Sequence, residues 1–241
     1  MQTILINNLP VPYTIVRAAG RKRTISLMME RSGHLQIRAP LKTKPHVIER
    51  LIHKNSAWIL KKIAANSQQP PVVKHQFLEG EKFSYLGQEY PLQICEQAGK
   101  KSSCQLVENV LQVNLAHHSG HAVQHIAAIL KVWYRHQAHG LFLERITEWQ
   151  QCLGVKAARL KISQARRRWG SCSEQNTICL NWRLMMAPLP LIDYVVVHEL
   201  CHITHKNHSK AFWQLLASII PDYAVRKKIL RQEGGKWLED F

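Results

Sequence analysis

The sequence predicts an α+β fold, in which an N-terminal β-rich part with one long helix is followed by a part built mainly of helices. Three observations predict it. Short apolar and β-branched runs, punctuated by glycine and polar residues, dominate the first part. Apolar residues at helical spacing take over in the second half. The chain has 241 residues, 46% of them hydrophobic, which suffices for a real core in one large domain or two small ones. The expected boundary falls between a basic, β-rich region over 1–118 and a second domain over 119–241.

The elements follow in order. Residues 24–30 and 35–38 flank Arg31-Ser32-Gly33-His34 as a hairpin. Thr43 reads as a helix N-cap with Pro45 in the first turn. Val47, Ile48, Leu51, Ile52, Trp58, Ile59 and Ile63 then recur at helical spacing. Residues 66–71 form a polar, proline-containing linker. Residues 82–86, 90–94 and 110–115 read as strands. Apolar positions over 123–149 predict a long helix, bent near Gly140. Residues 159–163 and 177–183 read as strands flanking a Trp169-Gly170-Ser171 loop. Pro188 and Pro190 close that segment, and a helix starts near Leu191. Asp193 in its first turn would suit the helix dipole. Residues 209–219 and 224–231 predict two last helices, the first stopped by Pro221. No internal repeat is visible.

Net charge is +17, unevenly spread. Residues 1–76 hold 13 Lys/Arg against Glu30 and Glu49, so +11, and the remainder supplies +6. Such a balance attracts nucleic acid, nucleotides or acidic protein surface, or simply keeps a solvated basic surface soluble. Six cysteines lack any C-x-x-C pair, which argues against a disulfide framework and for a reducing compartment. The N-terminus has neither a basic n-region nor a long apolar h-region. No stretch approaches the roughly 18 apolar residues of a membrane span. A cytoplasmic protein without a membrane partner is expected.

The chemistry concentrates in His198-Glu199-Leu200-Cys201-His202, of the form H-E-x-x-H. Histidines four apart share one helical face, so both rings can close on one Zn²⁺. Glu199 follows the first ligand directly, beside the water that the metal activates, where a general base is needed. An ordinary surface helix could carry the same five residues. The preceding run, Ile192-Asp193-Tyr194-Val195-Val196-Val197, is almost wholly apolar and predicts a buried helix. Buried imidazoles and a carboxylate without partners cost several kcal/mol, which a metal offsets.

The continuation offers His205 and His208 as a third ligand. His205 would stay on the ligand face of a continuing helix. However, seven residues of helix rise about 10 Å, whereas Zn–N bonds are only about 2 Å, so His198 and His205 hardly reach one ion. His208 does so if the chain turns back after His202, and Asn207 tolerates the left-handed angles of such a turn. The spacing equals that of the extended metzincin motif, but His205 stands at its glycine and no methionine follows His208. Cys201 points away from the ligand face of such a helix.

Arg166-Arg167-Arg168-Trp169-Gly170-Ser171-Cys172-Ser173, Leu180-Asn181-Trp182-Arg183-Leu184, the stretch 192–202, Asn207-His208-Ser209 and Phe212-Trp213 follow in order. Together they resemble the YgjP-like metallopeptidase family, related to the SprT-like zincins. The likeness extends upstream to Arg21-Lys22-Arg23-Thr24, Arg38-Ala39-Pro40 and Tyr85-Leu86-Gly87. It implies a zincin-like metallopeptidase domain over 119–241, zinc on His198, His202 and His208, and Glu199 as the catalytic carboxylate. In zincins one strand lies antiparallel to the bound peptide; the strand over 177–183 is the expected edge.

These readings converge on a zinc-dependent metallohydrolase, most simply a metallopeptidase acting on peptide or protein, with its basic surface near nucleic acid. Arg166, Arg167, Arg168 and Tyr223 are candidate substrate-binding residues, and Tyr194 a further oxyanion donor. A rival uses the same metal and Glu199 on a nucleoside triphosphate such as UTP, with the arginines gripping phosphates in forked geometry. A third reading is non-enzymatic: a nucleic-acid-binding module with structural zinc, which would need a fourth protein ligand.

Overall fold

The computed structural model describes residues 2–30, 32–67, 75–97, 101–116, 123–165 and 167–239. Contacts divide the chain into two units, Met1–Pro71 and Val72–Phe241.

In the first unit, β1 (Gln2–Ile6) and β2 (Leu9–Ala18) form an antiparallel hairpin. Asn7 and Asn8 turn it with φ of 47° and 64°, the left-handed pair that matches strand twist. A second antiparallel pair, β3 (Ser26–Met29) and β4 (Leu35–Pro40), sets Met29 opposite Leu35. Parallel pairing of β4 with β2 gives the order β1-β2-β4-β3. Ile48, Ile52 and Ile59 share a core with Val11, Leu35 and Ile37. The single long helix expected here is two, α1 (Pro45–Lys54) and α2 (Ser56–Ser67). Asn55 interrupts it at φ −104°, ψ 16°, and its side-chain amide donates to the Leu51 carbonyl at 2.7 Å, competing with the helical ladder. Lys44, not Thr43, is the N-cap, with Pro45 opening the helix.

The second unit begins with β5 (Lys82–Tyr85), β6 (Gln88–Gln97), β7 (Ser103–Val107) and β8 (Val110–Ala116), in the order β5-β6-β8-β7. Pairing runs antiparallel, parallel, antiparallel, as in the first sheet. One architecture is therefore built twice without a legible sequence repeat, and β7 falls between the strands read at 90–94 and 110–115, where no strand is expected. Next comes α3 (Val123–Leu153), unbroken through Gly140.

A single core runs from Phe83 and Leu92 through Tyr134 and Phe142 to Val196, Phe212 and Leu216. The β5–β8 sheet therefore goes with the helical part, and contacts divide the chain at 71/72 where the sequence reading places 118/119. Tyr134 donates to the Ser84 carbonyl at 2.7 Å, and the Leu86 N–H to the Met185 carbonyl at 2.7 Å. At Gly87 (φ +83°) a Cβ would lie 2.8 Å from Pro188 Cγ, so only glycine lets this hairpin reach the helix that follows Pro188.

A small sheet, β9 (Arg159–Ser163), β10 (Gly170–Cys172) and β11 (Thr177–Asn181), has the order β10-β11-β9. After the 3₁₀ turn Trp182–Met186 come α4 (Leu189–Thr204), α5 (Lys210–Ile219) and α6 (Tyr223–Glu239). Because α4 starts at Leu189, Asp193 lies beyond the first turn, and dipole compensation is not its role. Its buried carboxylate accepts from Arg145 Nε and Nη2 at 2.6 and 3.1 Å and from Trp149 Nε1 at 2.9 Å. This forked, charge-assisted grip ties α4 to α3. No described helix is long and apolar enough to cross a membrane.

Candidate active site

The helix that carries the H-E-x-x-H residues is buried along most of its length, from Leu191 through Val197 and again from Glu199 to Cys201. The i, i+4 spacing sets His198 and His202 on one face, with ring centroids 5.1 Å apart. The helix ends at Thr204, because His205 is extended at φ −122°, ψ 100°. Asn207 is not among the positive-φ residues; leaving the helix at His205 is enough to reverse the chain. Ser209 then caps α5 by accepting from the Phe212 N–H.

The reversal returns His208 to the pair. Its Nε2 lies 3.0 Å from His198 Nε2, near the separation of about 3.3 Å expected for two nitrogens on one tetrahedral Zn²⁺. One ring nitrogen from each of His198, His202 and His208 falls within 4.8 Å of the others. His202 Nδ1 meets the His205 carbonyl at 2.9 Å. That bond fixes the Nδ1–H tautomer and leaves Nε2 free as a ligand, the usual outer support of a metal-binding histidine. His205 thus acts through its backbone, and its side chain is outside the triad.

Aromatic rings back the triad. Phe212, fully buried, lies 5.0, 4.6 and 4.8 Å from the rings of His198, His202 and His208. Trp213 stacks on His208 at 5.4 Å. Burial pushes His198 down to about 3, helped by the charges of His202, His208 and Lys227. His198 is therefore neutral at physiological pH, the form that binds a metal. Among the described residues the cluster contains three protein donors and no fourth, the pattern of an open site and not of a closed structural one. The donor set fits a divalent transition metal.

Glu199 is buried, and burial raises it to about 7 against the lowering influence of Arg168. A cation on the histidines would oppose that rise. Its carboxyl rests directly on the backbone of Gly170: a Cβ there would lie 2.6 Å from Oε1 and 2.7 Å from Cγ. Gly170 opens β10, an edge strand, whereas β11 is paired on both sides. This corrects the sequence expectation for the peptide-binding edge, since a central strand has no free backbone groups to offer. β10 is the edge strand that touches Glu199.

Several residues that sequence reasoning missed hold this geometry. Asn181, fully buried, donates through Nδ2 to the carbonyls of Ala165 and Arg168 at 2.6 and 3.2 Å. Lys206 donates to Asn176 Oδ1 at 2.8 Å and to the Ser173 carbonyl at 3.3 Å, tying the ligand loop to the β10–β11 hairpin. Gly234 of α6 makes room for Trp169, since a Cβ would meet its Cζ2 at 2.8 Å.

Of the candidate substrate residues, Arg166 lies outside the described residues. Arg167 and Arg168 are exposed, and Arg168 acts on Glu199. Tyr223 stacks on Trp213 at 5.5 Å and so joins the aromatic wall. Tyr194 is pushed up to about 12 by burial and by Glu199 and Tyr223, which keeps its hydroxyl a donor. Cys201 is buried in the core, and burial raises it to about 12 as well, so it remains a thiol.

Gly170→Ala should leave metal content unchanged but cut kcat at least about 100-fold, because a displaced base loses its alignment. Overpacking should also lower stability by about 1–3 kcal/mol. Elemental analysis, kinetics and thermal unfolding of the purified variant check both, and unaltered kcat would remove Gly170 from the site.

The YgjP-like metallopeptidase domain family matches residues 23–233. A stretch of 37 residues is 49% identical to the UTP pyrophosphatase of Escherichia coli (strain K12). It covers 15% of this chain and 22% of that protein, so the chain spans about a fifth of that curated relative. The crystal structure of the metallopeptidase zymogen of Pyrococcus abyssi abylysin aligns with 39% of this chain and 95% of its own, at 19% identity and a TM-score of 0.35.

Proposed function

Because the chain belongs to the YgjP-like metallopeptidase family, we propose that it is a zinc-dependent peptidase, with His198, His202 and His208 as ligands and Glu199 as general base. The observation that carries this reading is the convergence of three imidazoles beside one buried carboxylate. Zinc, when bound, supplies Lewis acidity, which acidifies water and polarises a carbonyl. Glu199 takes the proton of the attacking water and returns it to the leaving amine. Its apolar surroundings favour the protonated intermediate state that such a shuttle needs. A peptide laid along β10 would pair with backbone groups on its free edge and bring a carbonyl past Glu199. Tyr194 and Tyr223 are the candidate phenols that would donate to the oxyanion.

The 37-residue match favours a second reading, hydrolysis of a nucleoside triphosphate. Arg167 and Arg168 would then clamp phosphates. The test is one metal-loaded preparation assayed on a neutral peptide, on casein and on a nucleotide panel, together with Arg167→Ala/Arg168→Ala. The peptidase reading expects chelator-sensitive, zinc-restored cleavage of peptide, largely retained in the double variant. Turnover of triphosphates alone, abolished by the double variant, would overturn it.

A further inference from the structure

A cationic track with an exposed tryptophan lies on the first unit, in residues the proposed hydrolysis does not use. One depression, of about 370 Å³, is lined by Lys22, Arg23, Lys42 and Lys44. A second, of about 290 Å³, shares Ile25 with it and continues over Leu27, Leu51 and Trp58. These are at or below the small end of ligand pockets, and both are open, so they form a track and not an enclosed site. Among the described residues neither is lined by an acid.

The walls are held in place. Arg17 donates through Nη1 to the carbonyls of Leu41 and Thr43, both at 2.8 Å, which fixes the loop bearing Lys42 and Lys44. At the same wall α1 begins with no side-chain cap and no acid in its first turn, so its dipole adds to the positive field. Residues 1–71 carry twelve Lys/Arg against Glu30 and Glu49, a net +10. Trp58 is 38% exposed, a large aromatic surface in the second depression, which meets the cationic one at Ile25.

The pairing of these two features selects the ligand. An acidic protein would satisfy the lysines but has no call on Trp58. A duplex presents phosphates but keeps its bases stacked inside. Single-stranded nucleic acid presents both phosphates and open base faces, which cationic grooves with aromatic platforms bind. We infer that this track binds single-stranded nucleic acid, its phosphates on Lys22, Arg23, Lys42 and Lys44 and a base stacked on Trp58. The inference does not depend on hydrolysis, and its test reads binding alone.

The experiment uses the full chain and fluorescence anisotropy with a labelled oligothymidylate, a duplex and polyglutamate, over a salt series. The single strand should bind most tightly. Replacing the four cations with Ala should make the salt slope shallower by about 3, at roughly 0.7 per phosphate contact. Trp58→Ala should weaken binding about 5- to 100-fold without changing the slope, and Trp58→Phe should restore most of the loss. Lys61→Ala/Lys62→Ala, exposed on α2 and outside the track, should change affinity far less than the four-cation variant. Quenching of Trp58, read as parent minus Trp58→Phe, reports the contact independently of stability. Duplex or polyglutamate binding as tight as the single strand, or no effect of Trp58→Ala, overturns the inference.

Discussion

Metal-loaded Glu199→Gln is expected to lose roughly three to four orders of magnitude in kcat while keeping its zinc. The amide preserves the shape that rests on Gly170, so packing and ligand geometry should survive. What goes is the only group in the proposed mechanism that accepts a proton and hands it on. Glu199 is also buried, so no bulk water stands in for it. Elemental analysis and kcat on one preparation check this, on peptide or nucleotide alike. Undiminished turnover at full zinc occupancy would remove Glu199 from the chemistry.

The second large effect is on the ligands. His198→Ala, His202→Ala and His208→Ala should each lose the metal and with it all measurable hydrolysis, whereas His205→Ala should retain both. The contrast at His205 is sharp because its contribution is a backbone carbonyl on His202 Nδ1, which alanine keeps. Zinc at about a hundred times its Kd should stabilise the parent by about 2.7 kcal/mol, several degrees in Tm, and should leave the three ligand variants unshifted. The thermal shift reads binding without any assay of activity. A metal-free His205→Ala beside a fully loaded His208→Ala would overturn the third ligand.

Local spacing made the site legible. An i, i+4 histidine pair in an apolar run needs no tertiary information to share a helical face, because helical periodicity is a property of consecutive residues. Excluding His205 rested on helix rise and metal–ligand distance, both local too. The helix over 209–219 was readable for the same reason. The interrupted helix at Asn55 was not, since its apolar period continues across the break and the side-chain bond to Leu51 outweighs it.

Other features depended on residues far apart in the chain. Strand 177–183 is the edge that analogy with the zincin architecture suggests, and nothing in that run shows that β10 pairs on one side and β9 on the other. The β5–β8 sheet looked like part of the first region because strands precede it, yet its core is shared with α3 and α4. Gly170 was visible as a motif residue, but its contact with Glu199 spans 29 positions. Composition and periodicity thus specified the clustered histidines, the carboxylate beside them and most elements, since these follow from neighbours along the chain. Which strand offers its edge, where the units divide and what holds the carboxylate follow from long-range packing, where hydrogen-bond pairing and excluded volume act between segments that the order of residues does not relate.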